Sequence, residues 1–268
     1  MGLHEFFDAH PVFTHDEFVA FHAAGEGRSP KTRESLLAHH VDSGRLVRVR
    51  RGLYAVVPSA ADPKRYRPDP YLVAARMTDD AVLAYHTALE VHGRAYSVFE
   101  EFQYLTAKAT RPVVFRSSRF RPVRFPKALR ETGEEMFGVD LAERAGLDVY
   151  VTSLERTLVD ILDRPDLGGS LEEIWRSLES VEFYYVDQVV EYALLLGNAT
   201  TIAKAGFFLE EHRERLMVRD THLDALRARR PKAPHYWERG RGKEGRLVGQ
   251  WNLVVPGELL ERRWQEVT

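Results

Sequence analysis

The stretch Gly44-Arg45-Leu46-Val47-Arg48-Val49-Arg50-Arg51-Gly52-Leu53-Tyr54-Ala55-Val56-Val57 constrains the fold of this chain more than any other. Apolar residues alternate with arginines up to an Arg-Gly turn and resume beyond it, the period-two pattern of a hairpin with a basic edge. Charges on an edge strand discourage unwanted sheet extension, but four arginines between positions 45 and 51 exceed that requirement.

The residues before the hairpin read as three helices. Leu3 to Ala9 forms the first, ended near Pro11. Thr14 with Glu17 makes a capping box for the second, and Phe13 and Phe18 stand at the positions of a hydrophobic staple. Gly25 to Arg28 supply a turn. Ser29 then caps the third helix, and Pro30 sits in its first turn, where a missing N–H costs nothing. On a helical wheel Leu36, Leu37, His40 and Val41 share one side, and Lys31, Ser35, Ala38, His39 and Asp42 lie opposite. Arg33 falls in angle on the packed side, so its long stem must snorkel to water. Gly44 stops the helix.

Helix, turn, helix and basic hairpin together are the pattern of a winged helix-turn-helix, which reads duplex DNA with one helix and a flanking ribbon. On that reading Lys31, Thr32, Ser35 and His39 meet base edges or adjacent phosphates. Arg28 and Ser29 contact phosphate at the helix start, and Arg48, Arg50 and Arg51 place the wing against backbone or minor groove. The alternative is a protein-docking winged helix without operator binding.

The net charge of -2 argues weakly against nucleic acid until its distribution is considered. Residues 28–51 carry seven Lys/Arg against two acids, and residues 101–130 carry eight against one. Residues 134–200 reverse the balance, with four Arg against fifteen Asp/Glu. A phosphate backbone responds to the local field, so the two basic segments matter more than the total. In the second, Arg111, Arg116, Arg119, Arg121, Arg124 and Lys127 are spaced among strand-like residues. They suit DNA, an acidic protein surface or, with Phe115, Phe120 and Phe125 interleaved, RNA.

With 268 residues and no cysteine, the chain can bury more than one core without disulfides or thiolate-ligated metal, which fits a cytoplasmic location. No apolar run is long enough for a membrane span. Residues 59–70, which include Pro63, Pro68 and Pro70, read as a linker. The expected fold class is α+β: a winged helix-turn-helix in residues 1–58, the linker, and a larger mixed α/β domain in 71–268. Within that domain the patterns predict helices over 70–77 and 80–92, short strands in 98–125, and a strand at Val149 to Val151. Further helices are expected after Ser153, from a Ser170/Glu173 capping box, and over 187–196 and 201–216. A loop should fill 227–246, with a closing strand around Trp251.

Motifs for catalysis are missing. No phosphate-binding glycine loop ends in Gly-Lys-Ser/Thr, and no histidine pair with a helical glutamate has metal-ligand spacing. Gly168-Gly169-Ser170 resembles the start of a nucleotidyltransferase signature, but the paired aspartates that two-metal chemistry requires do not follow. Asp148, Glu155, Asp160 and Asp163 raise a metal-dependent nuclease or nucleotidyl-transfer reading. Salt bridging by Glu155, Arg156 and Asp160, holding a helix against strands 102–125, is the simpler account. No metal or cofactor is expected.

Three elements in order resemble a known family. The Phe13-Thr14 helix start with the wing at 44–55, Tyr85-His86-Thr87-Ala88-Leu89-Glu90-Val91-His92-Gly93, and Val151-Thr152-Ser153-Leu154-Glu155-Arg156-Thr157-Leu158-Val159-Asp160 are similar to AbiEi-type antitoxins and related bacterial transcriptional regulators. The resemblance implies a winged helix that represses its own operon at an inverted-repeat operator. It also implies a C-terminal domain that counteracts a nucleotidyltransferase-like toxin, with no catalytic residues in this chain.

Overall fold

A computed structural model describes residues 2–23, 30–237 and 245–261. The chain divides into two compact units, the first comprising residues up to Leu83 with 99–124 and 141–151, the second the remainder.

Unit one begins with α1 (Leu3–Ala9), β1 (Val12–Thr14), α2 (His15–Ala23) and α3 (Pro30–Asp42), followed by the hairpin of β2 (Leu46–Arg50) and β3 (Leu53–Val56). The local signals act as expected. The Thr14 N–H donates to Glu17 Oε2 at 2.6 Å, and the Glu17 N–H donates back to Thr14 Oγ1 at 3.2 Å, closing the capping box. Phe13 and Phe18 are both fully buried, with ring centroids 5.9 Å apart. They join Phe6, Phe7, Leu37, Leu46 and Tyr54 in an aromatic core that holds the three helices on the hairpin. β1 adds an antiparallel strand to β3, giving the sheet order β1-β3-β2.

Unit one continues through α4 (Pro70–Ala75) into a six-stranded sheet. It contains β4 (Val82–Leu83), then, beyond α5 (His86–Val91), β5 (Glu101–Thr106), β6 (Val113–Phe115) and β7 (Ser118–Arg124). After α6 (Lys127–Thr132) come β8 (Val139–Arg144) and β9 (Leu147–Thr152), and the order is β6-β7-β5-β4-β9-β8. The helix expected over 80–92 is therefore shorter. Val82 and Leu83 pair with Leu105 and Tyr104 on one side and with Tyr150 and Val151 on the other, so tertiary pairing takes them as strand. The helix starts only at His86, after Tyr85 turns the chain at φ 57°.

Unit two is mainly helical: α5, α6, α7 (Leu154–Asp163), α8 (Leu171–Glu179), α9 (Val186–Leu196), α10 (Ala199–Glu211) and α11 (Asp220–Arg227). It ends with β10 (His235–Tyr236), β11 (Arg246–Val248), β12 (Leu253–Val255) and α12 (Gly257–Glu261). Ser153 caps α7 and Ser170 caps α8, as their positions predict. The sequence pattern assigns no element to 217–226, where α11 forms. The closing strand is a small sheet, with Trp251 fully buried against Gly206 of α10, where a Cβ would lie 2.2 Å from its ring.

Glu173 departs from the capping-box expectation. Instead of folding back on its own helix start, its carboxylate accepts from Tyr96 N–H (3.1 Å), Ser97 N–H (3.0 Å) and Ser177 Oγ (3.0 Å), and lies 3.0 Å from His86 Nε2. Burial works to raise its pKa, but the hydrogen bonds from Ser97, His86 and Ser177 outweigh it and hold the carboxyl below its ordinary value. The backbone of 96–97 is thereby tied to α8 and α5.

Candidate nucleic-acid interface

α3 presents two chemically different sides. Leu37 and His40 are buried, and Leu36 and Val41 pack partly against the aromatic core. Lys31, Thr32, Ser35, Ala38, His39 and Asp42 are exposed, and Arg33 is half-buried, as its angle requires. The Ser35 hydroxyl donates to Lys31 O at 2.9 Å, which leaves its lone pairs facing outward. His15 Nε2 lies 2.8 Å from Glu34 Oε1 and links the start of α2 to α3. Arg28 and Ser29 lie outside the described residues.

Beneath the exposed row, His40 sits edge-on to the Phe7 ring at 5.3 Å. Its Nε2 has no hydrogen-bond partner among the described residues. Burial lowers its pKa, and the charges of Arg45, His39 and His4 lower it further, so the fold favours neutral imidazole here.

Gly44 ends α3 at φ +74°, and a Cβ there would come within 2.8 Å of Pro63, so the chain after the wing packs onto its base. The hairpin has a bulge at Val49: Arg48 opposes Tyr54 and Arg50 opposes Leu53. Leu46 and Tyr54 enter the aromatic core, whereas Val47, Leu53 and Ala55 are buried on the other face, with β6 lying alongside β2. The ribbon is thus packed on both faces, not a prong with one side free.

This packing separates the arginines. Arg45 donates to His4 Nδ1 at 2.7 Å and lies over the Phe7 ring at 5.0 Å. Arg50 donates to Met77 O. Arg48 and Arg51 are exposed and their side chains form no hydrogen bond or ion pair among the described residues. Of the three wing arginines expected to meet DNA, Arg50 alone is tied to the body of the unit, through the neutral carbonyl of Met77.

The second basic segment is also divided. Arg119 Nε and Arg121 Nη1 both lie 3.2 Å from the Glu101 carboxylate, so two cations share one anion. Arg116 donates to Pro63 O at 2.9 Å and Arg124 to Ala107 O, both neutral acceptors that leave the charge uncompensated. Lys127 pairs with Glu131 at 3.4 Å along α6 of unit two. Arg111 is exposed and has no partner among the described residues. The only clue to these pairings in the sequence was the lone acid at 101, whose place opposite Arg119 depends on the parallel pairing of β5 with β7.

Glu155, Arg156 and Asp160 belong to unit two and are buried. Arg156 Nε donates to Asp160 Oδ2 at 3.2 Å, and its Nη1 donates to the carbonyls of Glu135 (2.7 Å) and Phe137 (2.6 Å). Tyr192 donates to Asp160 Oδ1 at 2.6 Å, and Glu155 accepts from the Tyr185 N–H at 3.0 Å. The network therefore ties α7 to segment 135–137 and to α9, in place of the expected strands 102–125. Gly138 permits this, because a Cβ there would lie 3.1 Å from that of Arg156.

Among the described residues no helix is long and apolar enough to cross a membrane. No curated protein matches the chain. Over most of its length it is similar in structure to the RV2827C protein from Mycobacterium tuberculosis, with a TM-score of 0.59 and 18% identity, covering 95% of this chain and 89% of that one. That likeness shows a shared fold. Residues 3–57, spanning α1 through the wing, match the family described as transcriptional regulator, AbiEi antitoxin. Residues 3–57 are thus similar to the AbiEi antitoxin and transcriptional-regulator type.

Proposed function

We propose that this chain is a sequence-specific DNA-binding transcriptional regulator, acting in the cytoplasm and without catalytic activity of its own. α3 enters the major groove through Lys31, Thr32, Ser35 and His39, and Arg28 and Ser29 meet phosphate at its start. Arg48 and Arg51 carry the wing onto the flanking backbone. The observation that carries this reading is α3 itself: its apolar side is anchored in an aromatic core, while its polar side is exposed beside two wing arginines that no carboxylate pairs with among the described residues.

The finer reading is autorepression at an inverted-repeat operator, with unit two counteracting a nucleotidyltransferase-like toxin; the family match of residues 3–57 supports a regulator or antitoxin role in general. An electrophoretic shift with the duplex upstream of the chain's own gene, compared with random duplex at two salt concentrations, tests the first part. Operator recognition predicts a preference for the upstream duplex that survives the higher salt. Equal affinity for both duplexes would refute it.

A further inference from the structure

We propose that the segment flanking β6 is a second basic prong, whose Arg111 and Arg116 grip phosphates of the same duplex that the wing engages. The inference rests on the DNA-binding reading and extends its footprint to residues outside the winged helix.

Three contacts within unit one bring this segment to the wing. β6 runs beside β2. At one end of β6, Thr110, next in sequence to Arg111, shares a side-chain hydrogen bond with Tyr104, a tyrosine on which the charge of Arg50 in the wing also acts. At the other end, Arg116 occupies the β6–β7 turn at φ 56° and donates to Pro63 O, while Pro63 packs against Gly44 at the wing's base. β6 thus lies against β2, and its Arg116 end is linked through Pro63 to the base of the wing.

Charge decides what such a surface fits. Around it, cations with a structural task are paired with acids: Arg76 with Glu17 at 3.2 Å, Arg67 with Glu100 at 3.6 Å, Arg144 with Asp69 at 2.7 Å, and Lys108 with Asp79. Arg111 has no partner among the described residues, and Arg116 meets only a carbonyl and the Phe115 ring, at 5.1 Å. Arg48, Arg51, Arg111 and Arg116 are thus exposed cations of unit one that no carboxylate pairs with among the described residues. A regular polyanion with closely spaced charges satisfies such a set better than any single carboxylate. The short β6–β7 turn, with Phe115 opposite Ser118, holds Arg116 in one place and limits the entropy lost on binding.

The test uses the full chain and a fluorescein-labelled duplex of its upstream region, titrated across a salt series, with random duplex in parallel. Arg111→Ala should reduce the magnitude of the log K against log salt slope by about 0.9, and Arg111→Ala with Arg116→Gln by about twice that. For the single variant, the wild-type advantage should shrink roughly 3.5-fold between about 50 and 200 mM salt, equally on both duplexes. Arg67→Ala, which removes a paired cation, should leave the slope unchanged, and circular dichroism melts check that each variant is folded. An unchanged slope in both Arg111 variants, with a lowered slope in Arg48→Ala, overturns the second prong and leaves the winged-helix reading standing. An equal effect from Arg67→Ala also overturns it, since only the general field would then matter. No duplex affinity at low salt overturns both.

Discussion

Asp160→Asn is the most demanding test of how unit two holds together. The Arg156 and Asp160 side chains are 0% and 1% exposed, so neither charge can recover water when its partner is lost. Asparagine keeps the shape of the aspartate and an acceptor for the Tyr192 hydroxyl, but leaves a guanidinium buried without its anion. Breaking one half of such a pair costs about 3 to 5 kcal/mol, a large share of the roughly 5 to 15 kcal/mol that a domain has in total. Arg156→Met should cost more, because it also orphans the carbonyls of Glu135 and Phe137, at about 1 to 3 kcal/mol each. Combining Arg156→Met with Asp160→Leu removes both charges, so the double variant should be less destabilised than the sum of its singles by about the pair's own 3 to 5 kcal/mol. Urea unfolding followed by tryptophan fluorescence measures this, because Trp175, Trp237 and Trp251 all lie in unit two. A change within about 0.5 kcal/mol for Asp160→Asn, or strict additivity in the cycle, would refute the reasoning.

Arg48→Ala and Arg51→Ala should each reduce the magnitude of the salt slope of duplex binding by about 0.9, whereas Arg50→Ala should appear mainly as lost stability, read by thermal melts beside the salt titration. His40 is held neutral in the fold, so its contribution to stability is intact above the unfolded value of 6.5 and is lost as pH falls from there through its lowered folded value. Melts of the wild type at about pH 7.5 and 5.5 should show that loss, and His40→Leu should reduce it; an equal loss in both would count against the assignment. Gly206→Ala would drive a methyl into the Trp251 ring and should destabilise unit two by about 1 to 3 kcal/mol, seen as a lower urea midpoint with a shifted Trp emission.

Whatever depends on residues within a turn or two of one another is readable from the sequence alone. The Thr14/Glu17 box, the caps at Ser153 and Ser170, the stop at Gly44, the two sides of α3 and the strands of the wing are all local, because a cap or a periodicity has its partner within four residues. Fates that depended on distant partners were decided only by tertiary structure. Val82-Leu83 became strand because β5 and β9 flank it, and Arg50 left the set of exposed wing cations because Met77 O lay within reach. Arg119 and Arg121 had half of their combined charge compensated by Glu101 across a parallel pairing, while Arg111 and Arg116, no different from them in the sequence, kept theirs. Composition sets how much charge a chain carries, but its compensation depends on which carboxylates and carbonyls come within a few ångströms, and only the packed chain determines that.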